Sequence, residues 1–413
     1  MNHNLLIIGF VWPEPHTTAA GIRMLQLIEV FQEHDFTITF VSTAAKSDNS
    51  FPLHSLNINT FQIHLNDNSF DALLKELKPD TVLFDRFLTE EQFGWRVAEN
   101  CPNALRILDT EDLHFLRYGR QLALKNKETF AYKHMINDLF KRELASIYRS
   151  DLSLIISKFE LDLLTQTFKV SNDILLYLPF LLKVIEPKQL RAYPDFKKRK
   201  DFMTIGNFKH EPNFNALLYL KNTIWSEIRK ALPKVQLYIY GAYASEKVKQ
   251  LHNKKEGFIV KGWVENTEDA FINSRICLAP LRFGAGLKGK LIDAMKYGTP
   301  SVTTPIGAEG MHDNFPWNGF ISDNTQDFIQ KSIELYQNEA IWQSAQEKGI
   351  AIINQCFDKT KYQNILINRI LTLQNELTAH RLHNFMGAML QHQSLNSTKF
   401  MSKWIEEKNR TIH

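Results

Sequence analysis

Twice along this chain, short continuous apolar runs alternate with segments whose apolar residues recur at helical spacing. In the first pass the runs fall at residues 4–10, 36–41, 81–84, 105–108, 152–156 and 174–178. Between the first two, residues 20–32 set Ile22, Leu25, Leu27, Ile28 and Phe31 roughly along one helix face. The second pass has runs at 202–205, 235–240, 258–260, 276–279 and 301–303, with helix-period segments at 213–231 and 288–297. Strands that are apolar throughout are covered on both faces, and the intervening helices join them in parallel. Each pass therefore predicts a parallel sheet between helical layers, and together they predict an α/β chain of two lobes facing a cleft. The segment 119–150 breaks the rhythm and reads as one extended helix. Ligands of open parallel sheets sit at the carboxyl ends of the strands, so the loops leaving those strands are where chemistry is expected.

A length of 413 residues suits two domains rather than one. The reading is a first Rossmann-like domain over 1–182, a connector over 183–200, a second Rossmann-like domain over 201–353 and C-terminal helices over 354–413. The connector contains Pro187, Pro194 and the run Lys197-Lys198-Arg199-Lys200, which reads as solvated. Beyond Glu376, Leu382, Phe385, Met386, Met389 and Leu390 form an apolar stripe, and residues 400–405 form another around Trp404. Such faces need a covering surface, either a partner or a peripheral contact with a membrane.

Lys and Arg number 49 and Asp and Glu 45, leaving a net charge of +4. Spread over the whole chain, that is too little to mark a nucleic-acid binder. Cys101, Cys277 and Cys356 lie far apart without metal spacing, which suits a reducing compartment. His380 and His383 share a helix face with no third ligand in view, so neither zinc nor another metal is expected. Residues 1–16 lack a basic n-region and a cleavage site and read as a first strand rather than a signal peptide. No stretch approaches the ~18 uninterrupted apolar residues of a membrane span. The expectation is a cytoplasmic protein.

The loop over 11–21 carries one glycine, Gly21, where a dinucleotide-binding GxGxxG turn needs three. The P-loop pattern GxxxxGK[ST] and the nucleophile elbow GxSxG are absent. The small residues of 17–21 read either as an ordinary βα turn or as the floor of a ligand site, with Gly21 giving close approach. Residues 280–295 are more informative. Gly284, Gly286 and Gly289 let backbone N–H groups approach an anion, a helix N-terminus adds partial positive charge, and Arg282, Lys288 and Lys290 surround the turn. That design suits a diphosphate; the competing reading is a tight turn with its lysines in solvent. After the run 105–108, Asp109, Glu111, Asp112 and His114 crowd together. Acids at a strand end can orient an acceptor hydroxyl or take its proton, so Glu111, Asp112 and His114 are the candidate catalytic groups. Arg117 is a candidate acceptor contact. With Arg120, Asp85 and Arg86 it reads either as part of an acceptor clamp or as part of a salt-bridge network, structural pairing being the favoured reading.

The block 279–311 reads P-x-x-x-G-x-G-x-x-x-K-x-x-(D/E)-A-M-x-x-G-x-P-x-V. It resembles the donor-site region of GT-B glycosyltransferases, of the large retaining type (glycosyl transferases group 1) that includes sucrose-phosphate synthases and bacterial mannosyl- and glucosyltransferases. Gly206-Asn207 after the strand that opens the second domain, the run 237–241 and the turn around Trp263-Val264 fit in order. The resemblance covers roughly 200–350 by motif and the first domain by architecture. It implies a GT-B fold with a final helix crossing back onto the first domain. It also implies transfer of a sugar, with retention and without metal, from a UDP- or GDP-sugar serving as substrate; no cofactor is implied. The acceptor would be a sugar, a glycan, or a lipid-linked or protein hydroxyl. The family's E-x7-E pair falls on Ala285 and Asp293, so Asp293 would meet the ribose while the first acid is missing. Glu309 is the candidate replacement near the sugar. The family's Arg and Lys clamp falls on Asn207 and Pro212; Arg282, Lys288 and Lys290 are its expected substitutes, with Lys209 a weaker one. Thr110-Glu111-Asp112 stands where the family has T-H-D. A nucleotide-sugar epimerase on the same fold and a catalytically idle sugar-nucleotide or glycan binder are the alternative readings.

Overall fold

The computed structural model describes residues 3–392 together with residues 400, 401 and 404. Among them, the first sheet has seven parallel strands: β1 (His3–Gly9), β2 (Phe36–Ser42), β3 (Asn59–Gln62), β4 (Thr81–Asp85), β5 (Leu105–Asp109), β6 (Leu152–Ile155) and β7 (Leu175–Tyr177). Their spatial order is β3-β2-β1-β4-β5-β6-β7. The second sheet has six: β8 (Lys200–Ile205), β9 (Leu237–Tyr240), β10 (Phe258–Gly262), β11 (Ser274–Ala279), β12 (Ser301–Thr303) and β13 (Gly319–Ile321), in the order β10-β9-β8-β11-β12-β13. The order reverses beside the first strand of each sheet, between β1 and β4 and between β8 and β11. A crevice opens at such a switch point at the carboxyl ends of the strands.

Both sheets are buried on two faces, as apolar strands require. Leu5, Ile7, Leu83 and Ile107 pack with the helix Ala19–Glu33, and Ile8, Phe84 and Leu108 pack on the opposite side with Phe115 and Ile147. In the second domain Phe202, Leu237 and Ile276 meet Trp225 and Trp342. The helix Lys359–Asn375 crosses back, placing Tyr362, Leu366, Ile370 and Leu373 in the cluster of Leu5, Leu27 and Leu105. Lys359 at its start pairs with Glu33 at 2.7 Å and Glu29 at 3.0 Å.

Two sequence expectations are corrected. Residues 119–150 are not one helix but parts of three: His114–Asn126, Tyr132–Met135 and Asp138–Arg149. Lys127 ends the first in a left-handed conformation (φ 58°), and Asn137 starts the last by accepting from the Phe140 N–H. Gly119 permits the fold-back, because a Cβ there would lie 2.4 Å from the His134 carbonyl oxygen. The connector's charge run is not wholly solvated, since Arg199 is fully buried and donates to Pro194, Phe271, Tyr297 and Thr299. The stripe after Glu376 lies largely open among the described residues. The helix Phe385–Gln391 instead turns Gly387 onto the Tyr148 carbonyl, leaving Leu382 78% and Phe385 69% exposed. Most of the second stripe, around Trp404, lies outside the described residues. Among those residues no helix is long and apolar enough to cross a membrane.

Candidate active site between the two sheets

The carboxyl ends of the two sheets face each other across a cleft of about 900 Å³. The wall given by the second domain is built on the loops after β8, β9, β10 and β11. Gly206 follows β8, and a Cβ there would sit 2.8 Å from the Asn213 side chain and 3.1 Å from the Lys290 ammonium nitrogen. Only a bare backbone lets these groups meet over the strand end. Lys290 donates to the Asn213 Oδ1 at 2.8 Å, and burial pulls its ammonium down to about 8. Lys288 donates to the Gly286 carbonyl at 2.7 Å; burial draws it down to about 8 as well, against the attraction of Glu309. Both lysines stand at the start of the helix Gly289–Lys296, where unpaired N–H groups and the helix dipole already favour an anion. Among the described residues Lys290 has no carboxylate at ion-pair distance. Asp293, one turn on, lines the same wall, and burial pushes its carboxyl up to about 6. Asn207, Trp263, Val264 and Gly284 complete the expected donor residues that line the cleft.

The opposite wall comes from the loops after β1, β4 and β5. Arg23 reaches up under them, giving Nε at 3.0 Å and Nη2 at 2.8 Å to Asp109 and Nη1 to the Leu178 and Pro179 carbonyls. Glu111 is held with φ at +63°, a conformation that costs a non-glycine residue of order 1 kcal/mol. Its Oε1 is shielded from solvent with no hydrogen-bond partner among the described residues. Burial, then the charges of Asp109 and Asp85, raise its carboxyl well above the ordinary value, favouring the neutral acid. Asp112 is the opposite case. Burial alone would raise it, but the Arg117 guanidinium against it, helped by His114, holds it well below the usual carboxylate range. Two neighbouring carboxyl groups are thus set to different protonation states, an arrangement suited to acid–base work. His114 Nδ1 lies 3.2 Å from Glu143 Oε1 and 3.6 Å from Asp112 Oδ1.

Glu111, Asp112, His114 and Arg117 thus share one cleft with Gly206, Asn207, Trp263, Val264, Gly284, Lys288, Lys290 and Asp293. Four expected residues do not line it. Arg282 points away, donating to Asn215 at 2.9 Å and lying 4.8 Å over the Tyr219 ring. Glu309 is held by Arg120 through two bonds of 2.7 Å, and Arg120 also donates to the Gly284 carbonyl at 2.8 Å. Gly286 turns its N–H to Glu160 at 2.8 Å rather than toward the cleft. Gly21 packs on the backbone of Glu14, where a Cβ would lie 2.4 Å away. Its role there is the tight βα turn capped by Thr18. Thr17 and Thr18 of the small-residue loop line the cleft, as the ligand-floor reading expects, while sequence reasoning left His210 and Asn213 unassigned. Single polar residues in loops carry no pattern that marks them.

Residues 199–338 match the family model of the glycosyl transferases group 1. The match is confined to the second domain. It spans the second sheet and with it the lysine wall of the cleft. The whole chain superposes on the sucrose-phosphate synthase of Thermosynechococcus elongatus with a TM-score of 0.69 at 13% identity, covering 92% of this chain and 100% of that one. It superposes on HepE of Anabaena, solved in complex with UDP and glucose, with a TM-score of 0.67 at 11% identity, covering 89% and 99%. These likenesses establish the GT-B fold. An uncharacterized 44.6 kDa protein in the cps region of Klebsiella pneumoniae is 23% identical over 302 residues, 70% of this chain and 74% of that protein.

Proposed function

We propose that the cleft transfers a sugar from a nucleotide-diphosphate-sugar to an acceptor hydroxyl seated on the first domain, with retention and without a divalent metal. The observation that carries this reading is the lysine wall. Lys288 and Lys290 are lowered to about 8 by burial, Lys290 lacks a carboxylate counterpart among the described residues, and both stand at a helix N-terminus. A buried cation without a counter-charge is costly, and a bound diphosphate removes that cost. The same two ammonium groups stabilise the leaving diphosphate, the task a metal would otherwise perform. HepE, of the same fold, was solved with UDP and glucose, which supports a nucleotide-sugar in this cleft.

Asp293 meets the ribose, and Trp263 and Val264 lie against the base. Across the cleft Glu111 and Asp112 face the donor loop. Where the family pattern has an acid this chain has Ala285, and a Cβ placed on the adjoining Gly286 would lie 2.8 Å from the Asp112 side chain. The first domain thus brings carboxyl groups to the side of the donor loop that lacks its own. Asp112, kept ionised by Arg117, orients the acceptor hydroxyl, and Glu111 as a neutral acid donates a hydrogen bond to the bound sugar. The acceptor hydroxyl belongs to a sugar, glycan, lipid-linked or protein substrate.

The test is a thermal-shift panel with UDP, GDP and ADP followed by labelled nucleotide-sugars, each with and without EDTA. A shift with one nucleotide and EDTA-insensitive release of it from its sugar are expected. Binding of none of the three, or activity abolished by EDTA and restored by magnesium, would refute the reading at the corresponding point.

A further inference from the structure

Glu160 belongs to neither wall of the cleft, yet it touches both loops that form them. It lies on the short helix Lys158–Asp162 after β6 and is 1% exposed. One oxygen, Oε1, accepts the Leu113 N–H at 3.0 Å and the Gly286 N–H at 2.8 Å. Leu113 adjoins the acids Glu111 and Asp112 on the first domain, and Gly286 is the centre of the donor loop on the second. The other face of the Gly286 residue is held too, since its carbonyl accepts from Lys288. Two loops from different domains therefore meet on a single carboxyl oxygen, while Oε2 is buried without a partner among the described residues.

We propose that Glu160 is a positioning residue that sets the separation of the acid loop from the donor loop. The proposal rests on the glycosyltransferase reading of the cleft. Two N–H groups that bond one acceptor are tethered to each other through it, and displacing reacting groups by about 1 Å can cost of order 100-fold in rate. The nucleotide is held by groups of the second domain alone, so the effect falls on turnover and not on nucleotide affinity. The interaction is geometric: a neutral carbonyl oxygen at the Oε1 position serves both N–H groups, whereas a carboxylate withdrawn by one methylene reaches at most one.

The experiment compares the full-length wild type with Glu160→Gln and Glu160→Asp. Nucleotide Kd is measured by calorimetry with UDP and GDP, release of nucleotide from UDP-glucose and GDP-mannose is followed, and hydrogen exchange is recorded for the peptides covering 110–114 and 284–289. Glu160→Gln is expected to stay within about threefold of wild type in kcat and to keep both peptides protected. Glu160→Asp is expected to lose at least about tenfold in kcat with Kd within about threefold, and to raise exchange in both peptides together. Wild-type behaviour of Glu160→Asp overturns the proposal. So does an equal loss in Glu160→Gln, or a loss expressed as weaker nucleotide binding. A wild type that binds neither of these nor ADP refutes the glycosyltransferase reading instead, and joint exchange of the two peptides then decides whether Glu160 is their clasp. Because exchange is read on the folded population, a less stable Glu160→Asp still reports through it.

Discussion

Replacing Lys290 by Met should weaken nucleotide binding and at the same time make the empty protein more stable. The two signs come from one atom. Burial lowers the ammonium from its ordinary 10.5 to about 8, and each tenfold change in proton affinity is worth about 1.4 kcal/mol. The undiscounted penalty is about 3 kcal/mol; solvent reaching the half-buried side chain screens it to about 1–2 kcal/mol. Methionine keeps the stem and removes the charge, so at about 2–4 °C per kcal/mol for a domain of this size the unfolding temperature should rise by roughly 2–8 °C. A group whose folded pKa lies below its unfolded one penalises folding while it is protonated. The gain is therefore full below about pH 8 and fades toward pH 10.5. Loss of a charge-assisted bond to phosphate costs about 1.5–3 kcal/mol, or roughly 10- to 150-fold in Kd. Calorimetric titration with the preferred nucleotide at pH 7, together with scanning of the empty protein, measures both. An unchanged Kd, or a weakened Kd with a lowered unfolding temperature, refutes the argument that this lysine is an unsatisfied anion receptor.

Arg282→Ala is the matching control: its guanidinium lies on Tyr219 and Asn215, so nucleotide Kd should change by less than about twofold. Nucleotide affinity should be level below about pH 7.5 and fall above about pH 8 as Lys288 and Lys290 lose their protons; a flat profile to pH 9.5 counts against both as phosphate contacts. Glu111→Gln keeps a hydrogen-bond donor at the same place and should retain most of the transfer rate, while Glu111→Ala should lose at least about tenfold in kcat; equal rates for the two would remove the donor role. Arg23→Met leaves the buried Asp109 carboxylate uncompensated and should cost about 3–5 kcal/mol in denaturant unfolding, with a loss below about 1 kcal/mol counting against it.

The periodicity of the apolar runs is enough to place most of both sheets, because strands covered on two faces must be apolar throughout. β3 escaped it: residues 59–62 form an edge strand largely open to solvent, so burial left no pattern there. The extended-helix expectation failed at Lys127, whose left-handed turn has no glycine to announce it. At the site, the donor loop was legible because glycines, lysines and a helix start are adjacent in sequence. What it could not show was direction. Arg282 and Lys288 are six residues apart, yet one faces away from the cleft and the other toward it. Glu160 and Arg120 were equally invisible as clasps, since each meets partners more than 120 residues away.

The return of the helix Lys359–Asn375 to the first sheet bears on how the chain is made. Tyr362, Leu366 and Ile370 complete a core whose other members end near Leu181, so the amino-terminal lobe cannot finish folding as it leaves the ribosome. At about 5–20 residues per second, some 180 residues of second lobe emerge in the roughly 10–40 s before that helix appears. Throughout that interval the groove it will fill is open to water, while the second lobe has all its own strands by β13. Synthesis therefore completes the lobes in reverse order, the later one first. A released chain truncated before residue 359 should display a folded carboxyl lobe beside a protease-sensitive amino lobe.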